Sequence, residues 1–138
     1  DVVGTGPDQD RLIKLAERKN LENRVLFHGH ISEIKKNQII SSSRCLVSLS
    51  EFESFGITLL ESAMLGTPII ASKIPSFSEI SEKIRGGITL VDPTNSVEFD
   101  DALEVTLGAK DPVKFESLDE FTWDRHGDRL ERHYMGLL

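Results

Sequence analysis

The chain has 138 residues, 38% of them hydrophobic and 28% charged, a balance that suits one globular domain with a real core. No apolar run approaches the ~20 residues a bilayer span needs, and the opening Asp1-Val2-Val3-Gly4 lacks the basic start and apolar stretch of a signal peptide. The net charge of -7 is uneven: the first fifty residues carry eight Lys/Arg against six Asp/Glu, and the remainder carries eight against seventeen. That balance argues against the phosphate-neutralising surface of a nucleic-acid binder and against direct docking on anionic lipid, while still permitting a local anion site. Cys45 is the only cysteine, so no internal disulfide can form and a reducing compartment is expected.

Val2-Val3 reads as the tail of a strand, ended by the turn signal Gly4-Thr5-Gly6-Pro7. A domain rarely opens inside its sheet, so the expectation is a piece of something larger. Asp8 to Lys19 shows Leu12, Ile13, Leu15 and Ala16 between charges, the pattern of a helical face. Arg24-Val25-Leu26-Phe27 predicts a short buried strand. Ser32 is placed to cap a helix through Ile34, Ile39 and Ile40. Arg44 to Leu49 predicts the next strand, Phe55 to Leu65 a dense apolar helix stopped by Gly66-Thr67-Pro68, and Ile69-Ile70-Ala71 another strand. Phe77 to Ile84 predicts a short helix closed by Gly86-Gly87 as its C-cap, and Ile88 to Val91 a strand ended by Asp92-Pro93. Asn95 with Glu98 forms a capping box for a helix to about Leu107, and the stretch from Trp123 to Met135 reads as a terminal helix. Phe115, Phe121 and Trp123 are expected to anchor that helix on the core.

Strand and helix alternate five times, which predicts βαβ units and a parallel sheet. The strands are continuous apolar runs, as in a Rossmann-like sheet covered by helices on both faces. Ligands of such sheets bind at the carboxyl ends of the strands, so the connecting loops there are the places to search for chemistry.

The loop after the third strand, from Ser50 to Gly56, is the richest. Glu53 precedes a helix start, and Glu61 lies eight positions later. The polar exceptions on that helix, Thr58, Glu61 and Ser62, fall within a sector of about 100°, which suggests a sandwiched helix with a narrow polar window on a cleft. Gly56 in the first turn leaves backbone N–H groups uncovered at the positive end of the helix, a natural phosphate site. A carboxylate at Glu61 could then accept hydrogen bonds from vicinal sugar hydroxyls. The blander alternative makes Glu53 a cap for the helix dipole and Glu61 a solvent-edge residue. His28, His30, His126 and His133 have no tight metal-ligand spacing, and the chain has neither a Gly-x-Ser-x-Gly elbow nor a Walker lysine.

Glu53-Ser54-Phe55-Gly56 with Glu61, Ala63 and Gly66-Thr67-Pro68-Ile69-Ile70-Ala71 resembles the E-x7-E signature of family 4 of the retaining glycosyltransferases, which have the GT-B fold of two facing Rossmann-like domains. Val3-Gly4-Thr5-Gly6-Pro7 resembles that family's glycine-proline loop, Arg24 to Gly29 its V-x-F-x-G segment, and Phe121-Thr122-Trp123-Asp124 the tryptophan motif opening its last helix. The four blocks run in order over almost the whole chain. The resemblance implies that residues 1–138 are a single nucleotide-sugar (donor) binding domain, the C-terminal half of a GT-B enzyme. Such an enzyme moves a hexosyl group from a nucleotide-diphosphate sugar to a glycan, lipid or other hydroxyl acceptor, in polysaccharide or glycolipid synthesis.

By the same resemblance Glu53 lies beside the donor sugar and the transferring centre. The backbone at Phe55, Gly56 and Ile57 binds diphosphate oxygens, Glu61 holds the ribose hydroxyls, and Ile31 contacts the base with Glu33 and Lys36 nearby. Lys36 could equally be a solvated helix residue. Gly4 would approach the donor closely, although it and Gly6 could also serve a tight strand-to-helix turn. No metal or other cofactor is implied, the base stays open among UDP, GDP and ADP, and the setting is cytoplasmic, at the membrane face through the parent enzyme.

Two departures stand out. After the fourth strand, Ile74-Pro75-Ser76-Phe77-Ser78-Glu79 keeps the family's glutamate at Glu79 but not its glycines. The family's first strand-helix unit, which carries its diphosphate-binding arginine and lysine, and its N-terminal acceptor domain have no counterpart in the chain, so the fragment alone is expected to be inactive. The rival readings are a nucleotide-binding module without catalysis and a GT-B epimerase or hydrolase of nucleotide sugars, against which the Gly-Thr-Pro block favours a transferase.

Overall fold

The computed structural model describes residues 1–109 and 111–135, without the side chains of Trp123, His126, Arg129, Leu130 and Tyr134, so the expected anchoring by Trp123 lies outside the described residues. The chain divides into two compact units, Asp1–Ser42 and Ser43–Leu138. Each is an alternation of strand and helix.

The first unit contains β1 (Val2–Val3), α1 (Gln9–Arg18), β2 (Phe27–Gly29) and α2 (Glu33–Ser42). β1 and β2 are parallel, with Val2 opposite Phe27 and Val3 opposite Gly29. β2 begins at Phe27, later than the apolar run from Arg24 predicts. The N–H groups of Arg24 and Val25 both donate to the Leu21 carbonyl, at 2.8 and 2.9 Å, and this turn delays pairing. Ser32 caps α2 as expected, its hydroxyl accepting the Lys35 N–H at 3.3 Å.

The second unit contains β3 (Leu46–Ser48), α3 (Ile57–Met64), β4 (Ile69–Ser72), α4 (Pro75–Lys83), β5 (Ile88–Val91), α5 (Ser96–Gly108), a 3-10 turn (Leu118–Phe121) and α6 (Trp123–Met135). Its sheet is parallel in the order β3-β4-β5, with Ile69 opposite both Leu46 and Ile88. All four residues of the central strand β4 are buried. Strand alternation divides them between two faces. Ile69 and Ala71 pack with Leu59, Leu60 and Ala63 of α3 and with Phe77 and Ile80 of α4. Ile70 packs with Val91 and Ala102, joined by Phe99 and Leu103 of α5. Helices therefore cover both faces of this sheet, as the unbroken apolar runs require. Among the described residues no helix is long and apolar enough to cross a membrane.

Two local expectations are corrected. At α5, Asn95 Oδ1 accepts the Glu98 N–H at 3.2 Å, which is half of the capping box. The other half is not made, because the Asn95 N–H already donates to the Asp92 carbonyl at 3.0 Å. Glu98 Oε2 accepts the Asp92 N–H at 3.0 Å instead. At α4 the helix ends before the glycines, with Ile84 as an extended C-cap. Gly86 and Gly87 instead seat a later segment. A Cβ at Gly86 would stand 2.5 Å from the Lys114 carbonyl oxygen, and one at Gly87 would run into the Phe115 ring and Val113. The Glu116 N–H donates to the Arg85 carbonyl at 3.0 Å and fixes the same approach.

Overpacking against a segment held by the backbone predicts that Gly87→Ala lowers stability by about 2–4 kcal/mol in urea unfolding. Gly108→Ala, where a Cβ meets open space, should change stability by less than about 1 kcal/mol. A second prediction concerns pH. Asp92 Oδ1 accepts the Thr94 hydroxyl at 2.7 Å and the Thr94 N–H at 2.8 Å. These bonds hold its carboxyl below the ordinary 3.8, the hydroxyl contributing most. With the folded value depressed, the stabilisation is complete above the unfolded pKa and is lost as pH falls through the folded one. The stability difference between the native chain and Asp92→Asn should therefore shrink as unfolding is followed downward from pH 3.8.

Candidate functional site

The loop from β3 to α3 ends at Gly56, whose backbone is left-handed at φ 86° and ψ 41°. That conformation excludes most side chains, and the space does too. A Cβ here would lie 2.8 Å from Ile80 Cδ1 and 3.0 Å from the Phe77 ring. Gly56 is thus pressed onto α4, and α3 starts where that contact puts it. The Gly56 carbonyl accepts the Leu59 N–H at 3.0 Å, the first turn of the helix. No hydrogen bond from the N–H groups of Gly56, Ile57 or Thr58 is found among the described residues. These are the open donors at the positive end of the helix.

Glu53 lies just before them. Its Oε1 accepts the Ser54 N–H at 2.9 Å and the Phe55 N–H at 3.3 Å. The carboxylate therefore stands on one of the backbone donors expected to meet diphosphate. The Phe55 side chain is half-exposed.

One turn into α3, Glu61 is half-buried and its Oε2 is enclosed by the protein. Thr58 is exposed, but Ser62 is fully buried and donates its hydroxyl to the Thr67 carbonyl at 3.1 Å. Ser62 therefore ties the helix end to the Gly66-Thr67 turn and is not part of a polar window. Nor is α3 sandwiched: Leu59, Leu60 and Ala63 are buried, whereas Ile57 is 61% and Met64 54% exposed. Glu61 lies between those two residues on the exposed side.

The remaining candidates belong to the first unit. The N–H of Gly4 donates to the Gly29 carbonyl at 2.9 Å, and its φ of 110° suits glycine. Gly4 also lines an open pocket of about 250 Å³, together with the rest of residues 2–9, Leu12 and Phe27. Ile31 is half-buried ahead of α2. Glu33 and Lys36 form an ion pair with each other at 2.7 Å on α2.

His28 Nε2 pairs with Asp1 Oδ1 at 2.6 Å. Among the described residues no three of His, Cys, Asp and Glu gather as a metal-ligand set. Cys45 packs on the second core cluster, and burial pushes its thiol pKa up, the opposite of what a nucleophile needs. Sequence reading placed Phe121 in the core but missed its partner: its ring stands edge-on to Phe55, centroids 6.5 Å apart. Nothing in periodicity links two aromatics so distant in the chain.

Comparison with known proteins shows the family and the fold. The family model for Glycosyl transferases group 1 matches residues 1–112. The O-antigen biosynthesis glycosyltransferase WclY of Escherichia coli is 28% identical over 142 residues, covering 99% of this chain and 38% of that protein. The chain thus spans less than two fifths of that relative's length. The alpha-monoglucosyldiacylglycerol synthase of Streptococcus pneumoniae is 27% identical, over 97% of this chain and 31% of its own. Among solved structures, the Anabaena protein HepE in complex with UDP and glucose superposes with a TM-score of 0.61 at 28% identity, over 75% of this chain and 29% of its own. WaaG, a glycosyltransferase involved in lipopolysaccharide biosynthesis, superposes with a TM-score of 0.62 at 19% identity, over 78% of this chain and 28% of its own, and so speaks for the fold alone.

Because Gly56 combines positive φ with contact on α4, Gly56→Ala should destabilise the chain by about 2–4 kcal/mol, measurable by urea unfolding.

Proposed function

The chain belongs to the Glycosyl transferases group 1 family, and from that premise we propose that it is the donor-binding, C-terminal half of a retaining GT-B glycosyltransferase of family 4. The reaction moves a hexosyl group from a nucleotide-diphosphate sugar to a hydroxyl on a glycan or lipid acceptor. The observation that carries this reading is the start of α3. Three successive N–H groups open at Gly56, Ile57 and Thr58, three residues after Glu53 and one turn before Glu61.

Negative charge grows on the leaving diphosphate as the glycosidic bond breaks. Backbone dipoles fixed in advance at a helix N-terminus stabilise that charge without having to reorganise. Because Glu53 occupies the Phe55 N–H, a phosphate oxygen reaching that donor must displace the carboxylate, which is then released toward the sugar. Glu61 accepts hydrogen bonds from the paired ribose hydroxyls, a task for which a carboxylate's acceptor geometry is suited. The Anabaena protein complexed with UDP and glucose favours UDP as the nucleotide. A lipid or glycan acceptor accords with the O-antigen and diacylglycerol names among the relatives, and the setting would be the cytoplasmic side of the membrane.

Calorimetric titration with UDP, GDP and ADP tests the reading. UDP should bind best, and Glu61→Ala should weaken it about tenfold or more, the effect of losing charge-assisted hydrogen bonds. In the full-length parent enzyme, Glu53→Ala should leave UDP binding in place while turnover of the nucleotide sugar is lost. Absence of nucleotide binding, or full turnover in Glu53→Ala, would refute the assignment.

A further inference from the structure

The loop at residues 50–56 has no regular hydrogen bonding of its own, yet the backbone donors assigned to the diphosphate lie in it and at its end. Two of its fixtures are local: Gly56 on Phe77 and Ile80, and the Glu53 carboxylate on the N–H groups of Ser54 and Phe55. The third comes from the far end of the chain. The Phe55 and Phe121 rings meet at an interplanar angle of 74°, the edge-to-face geometry that aromatic quadrupoles favour.

Phe121 is well placed to hold another residue still. It closes the 3-10 turn, which packs against α3, and it lies with Leu118 against the core cluster that includes Leu59, Phe77 and Ile80. The turn is internally braced. The Glu120 N–H donates to the Ser117 carbonyl at 3.1 Å, the Thr122 hydroxyl to the Asp119 carbonyl at 2.8 Å, and Arg125 to Glu120 at 3.2 Å. The Lys83 ammonium lies 6.0 Å from the Phe121 ring centroid, where the ring's negative face attracts a cation. Phe55, by contrast, is 54% exposed, so its ring adds little to the core and can be held by its neighbour rather than by burial.

We propose that Phe121 is a positioning residue for the donor loop: through Phe55 it fixes the backbone donors at Phe55, Gly56 and Ile57 in the geometry that receives diphosphate. The proposal rests on the donor-site reading above for its ligand, and on the ring contact for its mechanics.

The test is native-state hydrogen exchange together with UDP titration on the full-length protein. Phe121→Ala should speed exchange at the Ser54, Phe55 and Gly56 amides and weaken UDP, each about two- to tenfold, the effect of losing one edge-to-face pair. The β4 amides of Ile69 to Ser72 should keep their rates. Phe121→Leu, which retains apolar volume and so guards against simple unfolding, should loosen the same three amides, and Phe121→Tyr should restore them. In a Phe55→Ala background, Phe121→Leu should add nothing. Equal exchange in native and Phe121→Leu protein, or loosening shared equally by β4, would overturn the proposal. If the native protein bound no UDP while Phe121→Leu still loosened the loop selectively, the positioning contact would stand and the nucleotide assignment would fall.

Discussion

The contact between the Gly56 backbone and the Phe77 and Ile80 side chains governs the geometry of the second unit's working end. At that closeness there is no room for a Cβ, and the left-handed backbone that brings the chain in would strain one in any case. The consequence is that α3 begins abruptly, with its first N–H groups open and its axis set by α4. Phe77 and Ile80 are themselves fixed, because they belong to the cluster that also holds Ile69 and Ala71 of the fully buried β4. The central strand thus positions α4, α4 positions Gly56, and Gly56 aims the helix terminus.

This arrangement resolves a tension in the charge. The second half of the chain is strongly acidic, yet it carries the proposed anion site. Backbone N–H groups at a helix start attract negative charge whatever the surrounding carboxylates do over longer range, since solvent and salt screen those. Glu53 shows the attraction directly: its own carboxylate lies on the Ser54 and Phe55 donors. A diphosphate would replace one internal anion with another, and the exchange would free a carboxylate beside the sugar.

The C-terminal segment returns to this same region. Val113, Lys114 and Phe115 lie on Gly86 and Gly87, and the following turn brings Phe121 to Phe55. The segment expected to anchor the last helix on the core therefore also backs the loop that ends at Gly56. The glycines that receive it serve closeness of approach, and α4 ends without them.

The alternation of strands and helices and the parallel pairing were legible in the sequence. Each follows from local rules: short apolar runs, Gly-Pro stops and helix caps. The β5 strand at Ile88–Val91 and the Asn95 cap are instances. The glycosyltransferase resemblance was legible too, because Glu53, Gly56 and Gly66-Thr67-Pro68 sit close together in the chain. What local rules could not decide is which partner each group finds. Ser62 belongs to the polar set of its helix by periodicity, but the turn at Thr67 buries it. Glu98 has the spacing of a capping box, but Asp92 satisfies Asn95 first. Phe55 and Phe121 become neighbours only when α3 and the last turn pack on the same core. Sequence determines the elements because helix and strand preferences act over a few residues. Only the tertiary structure decides the contacts, because a hydrogen bond or a ring edge goes to whichever partner folding brings within reach.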